Sequence, residues 1–317
     1  MRQKALSITF QIVILAACFF YLSIGINWPD LGRTFALYSW FKIIGVLAVT
    51  IPIYALMGIR LQQLTHGGVS TPTGIRGSLL AIGINNILPA RLGEVAKAIY
   101  FKQKTVLGFS QSMGIIFLER FLDINILAVT GLITAMVFGL GLYGLPLTAA
   151  VLICWGLLVI MIRRMPVEGV ELTFIPSDKL RYFIKKSSIA IGHTLKGNTI
   201  LKPFLSTVFI WACSFLYLAL IPLWLMDLHL TAAQILAIYA AVYLGLTIPG
   251  LPGGIGMTEG AIVAILSWNN IPKTEALAIA LTIRAFNFLP PTLLGLSVFM
   301  TSGMSLQSLK PQTEDPF

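Results

Sequence analysis

The sequence predicts an all-α polytopic membrane protein with about six transmembrane helices plus two re-entrant helical hairpins in an inverted repeat, and three observations predict it. The first is composition: 57% of the 317 residues are hydrophobic and 11% are charged, against about 25% charged in ordinary soluble domains. The second is charge spacing, which leaves uncharged runs near the ~20 apolar residues a helix needs to cross about 30 Å of hydrocarbon. The third is a pair of hydrophobic segments, one in each half, interrupted by proline, glycine and polar residues. The first two exclude a soluble enzyme. Unpaired backbone cannot face lipid, so the spans are helices packed as a bundle.

Taken in order, Ala5–Ile26 is the first span and Ile43–Ile59 a shorter second. The uncharged stretch Ile124–Ile162 is too long for one helix and carries a break at Gly139–Pro146, so it reads as a hairpin with arms at 112–138 and 145–162. Phe204–Met226 is a clean span, Leu228–Thr258 is uncharged but broken by Pro249, Gly250, Pro252, Gly253 and Gly254, and Ala285–Leu309 is the last. This gives one integral membrane domain over 1–309, with a first half at about 1–162, a basic loop at 163–203 and a second half at 204–309. A polar tail, 310–317, follows. Cys18, Cys154 and Cys213 fall inside apolar spans without paired spacing and read as small buried residues. Cys18 ends Leu15-Ala-Ala-Cys, which looks like a lipoprotein processing box, but the chain stays apolar beyond it and the segment reads as a span.

The chain holds 22 Lys+Arg against 12 Asp+Glu, a formal charge of +10. In a membrane protein such an excess reports orientation, because cytoplasmic loops are enriched in Lys and Arg. Arg2 and Lys4 precede the first span, and 163–203 is the most basic segment. Both are expected on the inside of the cell (inner, cytoplasmic) membrane, with both termini cytoplasmic. That topology puts sixteen Lys and Arg inside, Arg33, Lys42 and Lys273 outside, and Arg91, Arg120 and Arg284 within the membrane. No nucleic-acid partner is expected.

The topology also requires that 75–92 does not cross. Its apolar part is too short, and Asn85, Asn86, Pro89, Arg91, Gly93 and Glu94 would lie near mid-depth. A re-entrant hairpin fits, turning at Asn85–Gly93 and returning to Lys97, Lys102 and Lys104. Its counterpart enters along Leu230–Ile248, breaks at Pro249–Gly256 and returns along Met257–Trp268, after which Lys273 and Glu275 mark an outer loop. Each turn runs from proline through glycine to a glutamate: Pro89-Ala-Arg-Leu-Gly-Glu94 and Pro252-Gly-Gly-Ile-Gly-Met-Thr-Glu259. Interrupted hydrophobic segments at corresponding places in two halves point to a transport site at the repeat interface.

Helix ends supply the chemistry. The N-terminus of a returning half-helix offers free N–H groups and the positive end of the dipole to an anion. Gly253, Gly254 and Gly256 let backbone approach such a group, and Arg91 adds a fork of donors. The expected cargo is an anion carried by a lipid. Glu94 and Glu259 oppose it unless they pair with Arg91 or Arg284, cap the half-helices or carry a coupling proton. Such groups are expensive in a membrane, by about 2.5–3.5 kcal/mol each, so they invite a functional reading. Glu119, Arg120 and Asp123 form a second group; they read either as a local ion pair snorkelling to the cytoplasmic interface or as a contact for the first turn. Arg284 with Asn287, ahead of Pro290-Pro291, repeats the arrangement in the final helix, where the prolines are expected to kink it. His66, His193 and His229 are scattered, and no phosphate loop, dinucleotide fingerprint or nucleophile elbow occurs, so no cofactor or metal is expected.

Three ordered motifs, Asn85-Asn-Ile-Leu-Pro-Ala-Arg-Leu-Gly-Glu94, Phe117-Leu-Glu-Arg-Phe-Leu-Asp123 and Pro252-Gly-Gly-Ile-Gly-Met-Thr-Glu259, resemble those of the lysylphosphatidylglycerol synthase transmembrane region, also called flippase-like or UPF0104 proteins. The resemblance covers nearly the whole chain. It implies a membrane domain with two re-entrant hairpins, associated in its best-understood members with moving an aminoacylated phospholipid between leaflets. It maps Asn86, Pro89, Arg91, Glu94, Glu119, Arg120, Asp123, Gly253, Gly254, Gly256 and Glu259 onto motif positions. The full-length synthases carry a soluble aminoacyl-transferase domain, whereas this sequence ends at Phe317 and is expected to be a stand-alone member. Relatives of that kind are associated with envelope glycolipid, polyprenyl-phosphate or hopanoid pathways.

The function expected is therefore translocation of an anionic phospholipid or a polyprenyl-phosphate-linked lipid between leaflets, without catalysis. Two alternatives stay open. One is a membrane-embedded enzyme acting on a lipid phosphate through Glu94, Glu119, Asp123 or Glu259. The other is a non-catalytic scaffold for a lipid-modifying enzyme or glycosyltransferase, using the basic loop 163–203.

Overall fold

The computed structural model describes residues 38–88, 91–139, 178–195, 200–247 and 256–304, with Pro29, Ala149, Ile153, Trp155 and Gly156. The first span at 5–26, most of the arm at 145–162, Pro89, the break residues Pro249–Ile255 with Gly253 and Gly254, and the tail lie outside the described residues. Within them every regular element is helical: α1 Trp40–Ala48, α2 Thr50–Leu64, α3 Thr71–Ile87, α4 Leu92–Lys104, α5 Phe109–Val137, α6 Asp178–Leu195, α7 Leu201–Leu220, α8 Ala232–Thr247, α9 Met257–Trp268 and α10 Lys273–Ser302.

Among the described residues, three stretches are long and apolar enough to cross a membrane: Trp40–Leu64 and Leu201–Leu225, of 25 residues each, and Lys273–Ser302, of 30. The first joins α1 to α2 through Val49, whose backbone stays helical. The second extends α7 by a wide turn, Ile221–Leu225, that accommodates Pro222 where a proline has no N–H to give the helix. At 29 residues α5 spans about 43 Å, and Glu119, Arg120 and Asp123 interrupt its apolar run.

Local chemistry sets the starts. Ser70 Oγ accepts the Thr73 N–H at 3.4 Å to cap α3, with Pro72 in the first turn. The Gly108 N–H donates to Gln111 Oε1 at 3.0 Å ahead of α5, and the Thr231 N–H to Gln234 Oε1 at 2.8 Å ahead of α8.

Packing follows a rule of exchange. α3 pairs with α4, and α8 with α9; each pair packs through its second helix on the long helix that follows, α4 on α5 and α9 on α10. Its first helix crosses to the other half: α3 packs on α10 and α8 on α5, while α2 lies along α7. Swapping α2 for α7, α3 for α8, α4 for α9 and α5 for α10 reproduces these principal contacts. At the α3–α10 crossing, Gly83 and Gly295 bring the backbones together; a Cβ on Gly295 would lie 2.4 Å from Leu79 O and 2.8 Å from Gly83 Cα.

Three expectations need correction. Asn85 and Asn86 stand in the last turn of α3, so the break is shorter than Asn85–Gly93. The stretch 163–203 is not simply a loop, because α6 occupies 178–195 and docks on α5, where Ser187 Oγ donates to Ser110 O at 2.7 Å. Lys273 and Glu275 form the first turn of α10 and not an outer loop, so the last helix begins at Lys273 and not at Ala285. Pro290 and Pro291 both lie inside that helix, as the sequence placed them. By contrast, the expected limits of the second broken segment agree closely with α8 and α9.

Candidate functional site

The charged residues singled out in the sequence separate into a closed knot and two open pairs. The knot is built on α5. Arg60, from α2, donates through Nη1 to Asp123 Oδ1 at 2.6 Å and to Thr207 Oγ1 at 3.2 Å, and through Nη2 to Glu119 Oε1 at 3.1 Å. Lys97, from α4, donates to Glu119 Oε2 at 2.6 Å and to Ser78 Oγ of α3 at 3.2 Å. Trp211, from α7, donates its indole N–H to Asp123 Oδ1 at 3.1 Å. Five helices thus meet in one network, and Arg60, Lys97 and Glu119 are each only 1% exposed.

Burial of this kind is tolerable because every charge is matched and most donors are satisfied. Glu119 and Asp123 are one helical turn apart on α5, so both present carboxylates to the same guanidinium. They do not snorkel to the interface. Sequence reasoning missed Arg60 and Lys97, which it counted among the sixteen cytoplasmic cations; both belong to the protein interior. The available signal was Lys97 itself, flanked by Val95, Ala96, Ala98 and Ile99 and three residues from Glu94.

The open pairs are equivalent to one another. Arg91, with φ 55°, and Gly256, with φ 83°, stand immediately before α4 and α9. Glu94 and Glu259 are the third residues of those helices. Arg120 lies eleven residues beyond the start of α5, and Arg284 eleven beyond the start of α10. Arg120 Nε is 3.3 Å from Glu94 Oε1, and Arg284 Nε is 3.4 Å from Glu259 Oε1. The same pair is therefore built twice, at matching positions and through the same atoms. Arg120 also lies 3.4 Å from Asp123 Oδ2. Three residues after each arginine comes Asp123 or Asn287, and eleven after each comes Gly131 or Gly295.

A cavity of about 40 Å³ sits at the second pair, lined by Asn86 from α3, Val242 from α8, Thr258 and Ile262 from α9, and α10 residues including Ile283, Arg284, Asn287 and Phe288. That volume is enough for water. Its lining draws on both halves, because α3 crosses to α10: Asn86 Nδ2 donates to Thr292 Oγ1 at 2.8 Å. Asn85 instead accepts the Gly93 N–H at 2.8 Å, pinning the start of α4 to α3. A Cβ on Gly93 would lie 2.0 Å from Ala81 O, so only glycine permits this approach.

Of the residues expected at the site, the structure brings Asn86, Arg284 and Asn287 to the cavity, with Glu259 against Arg284. Glu94, Arg120 and Asp123 adjoin the knot, into which Glu119 is fully absorbed. Arg91 is exposed at the start of α4, Gly256 starts α9, and Pro89, Gly253 and Gly254 lie outside the described residues. Among the described residues no group of three His, Cys, Asp or Glu side chains is placed to hold a metal.

The model of the family described as the lysylphosphatidylglycerol synthase TM region matches residues 8–295. The UPF0104 membrane protein MJ1078 of Methanocaldococcus jannaschii is 25% identical over 224 residues, covering 68% of this chain and 92% of that protein.

Proposed function

Because the chain belongs to the family of the lysylphosphatidylglycerol synthase transmembrane region, an integral membrane family, we propose that it translocates an anionic lipid or a lipid-linked intermediate between leaflets. In this reading about six helices cross the cytoplasmic membrane, with the termini inside. The pairs α3–α4 and α8–α9 enter from opposite faces as re-entrant hairpins. The headgroup passes between them while the tails stay in the bilayer. The observation that carries the reading is the cavity where Arg284, Asn287 and Thr258 meet Asn86 from the other half. Arg284 supplies a planar fork suited to phosphate, the two asparagines and Thr258 supply neutral polar contacts, and Ile262 and Ile283 keep the slot narrow.

Catalysis on the lipid phosphate has less support. Glu119 and Asp123, two of the four carboxylates it would use, are held by Arg60, Lys97 and Trp211, so neither is placed to exchange protons with a substrate. The test is reconstitution into vesicles followed by the accessibility of labelled phosphatidylglycerol and a labelled polyprenyl phosphate. Either lipid moving between leaflets faster than in protein-free vesicles, chemically unchanged, supports translocation. A lipid altered on thin-layer analysis turns the reading to catalysis, and no movement of either overturns it.

A further inference from the structure

The two equivalent carboxylates differ in their second oxygen. Glu259 Oε2 accepts the Gly256 N–H at 2.8 Å and the Thr258 hydroxyl at 2.9 Å. With Arg284 on its other oxygen, three donors stabilise its charge. Glu94 Oε2 is buried and has no hydrogen-bond partner among the described residues. The sequence accounts for one of the missing donors: Gly93 stands where α9 has Thr258, so no hydroxyl is offered.

A buried carboxylate oxygen without a donor is costly while ionised. Adding a proton there displaces no existing hydrogen bond, whereas at Glu259 Oε2 it would displace two. The charged groups around Glu94 are Arg120, Glu119 and Asp123 on α5, Lys97 and Arg91 on its own element, and Arg60 reaching the α5 carboxylates from α2. The other α4 charges, Lys102 and Lys104, lie in its last turn. From α3 the group in reach is the neutral Asn85, since the only charged residue of that helix, Arg76, is in its second turn; α8, packed on α5, has only Tyr239 and Tyr243 to titrate. Arg120 faces both Glu94 and Asp123, so neutralising Glu94 frees one side of its guanidinium.

We propose that Glu94 is a proton-binding site, and that lipid movement is coupled to it. On the translocation reading, one proton binds Oε2 as the anionic headgroup enters, which releases the Glu94 side of Arg120. Its loss as H⁺ restores the carboxylate and re-forms the pair as the headgroup leaves. The two turns are thus chemically unequal: Glu259 Oε2 is held by two donors and Glu94 Oε2 by none among the described residues.

Two measurements on the full chain in phosphatidylcholine–phosphatidylglycerol vesicles test this. In pH-dependent infrared difference spectra, the protonated-carboxyl C=O band that grows on acidification should contain a component that Glu94→Gln removes and Glu259→Gln leaves in place. If Glu94→Gln leaves the band as in the wild-type protein, the proton site is refuted. In the second, an imposed pH gradient should change the rate at which labelled phosphatidylglycerol moves, and Glu94→Gln should lose that response. A variant that keeps the full gradient response overturns the coupling. If the wild-type protein moves no lipid, the translocation reading and the coupling fail together while the infrared result still decides the proton site. Matching thermal melts of the variants guard against misfolding.

Discussion

The two halves of the molecule repeat one framework and fill it differently. Around Arg120 the first half places Lys97, Glu119 and Asp123; around Arg284, at the corresponding positions, the second places Ile262, Ile283 and Asn287. In the first half the space is closed by a knot of matched charges that ties α2, α3, α4, α5 and α7 together. In the second it is a small cavity beside one ion pair. The contrast teaches that charged residues within one membrane bundle can do opposite work. Where the charges are matched in one buried network they tie the helices together, and where one ion pair adjoins neutral polar groups they leave a cavity, which the translocation reading fills with a headgroup.

The strongest way to break the comparison is to open the knot. Glu119→Ala leaves Arg60 and Lys97 without a shared carboxylate, and should cost about 3–5 kcal/mol as an uncompensated buried charge. The expected outcome is a large fall in melting temperature in detergent; an unchanged melt would show that the knot does not hold the scaffold. Next comes the crossing of the halves: Gly295→Leu forces a side chain against Leu79 O and should destabilise by about 1–3 kcal/mol, again read by thermal melting. Arg284→Ala should lower lipid movement roughly tenfold or more, since a charged hydrogen bond is worth about 1.5–3 kcal/mol, and should lower the melt less than Glu119→Ala does, because Glu259 keeps the Gly256 N–H and the Thr258 hydroxyl. Asn287→Asp gives the second half the acid of the first; a new negative charge beside Arg284 should slow anionic lipids several-fold and spare neutral ones, measured in the same vesicles. The smallest effect is expected at Lys185→Ala on α6, within about 0.5 kcal/mol as a surface change.

Much of this framework was legible in the sequence, and the reasons differ by residue. The span at Phe204–Met226 and the breaks around Glu94 and Glu259 follow from local rules, because hydrophobic length and proline or glycine interruptions act over a few residues. Helix ends were less legible: Lys273 and Glu275 look like loop residues until the apolar periodicity of Ala276–Ile283 places them in the first turn of α10. The two open pairs were half legible. Both glutamates and both arginines stood out as intramembrane charges, but Glu94 was weighed with Arg91, and its Arg120 partner lies on the next helix. Arg60 was hidden most completely. It closes an apolar run in the manner of a cation at the interface, and its ligands Glu119 and Asp123 are about sixty residues away. Only the packing of α2 against α7 and of α4 against α5 brings them together.

The crossing of α3 with α10 also has a consequence in time. A chain emerging from synthesis completes α3 at Ile87 and begins α10 at Lys273, so nearly two hundred residues must be made before the first can meet the second. At about 5–20 residues per second, the face of α3 that carries Gly83 and Asn86 waits roughly 10–40 s for its partner. During that interval it must be covered by something else, whether lipid, the insertion machinery or another nascent copy of the same half.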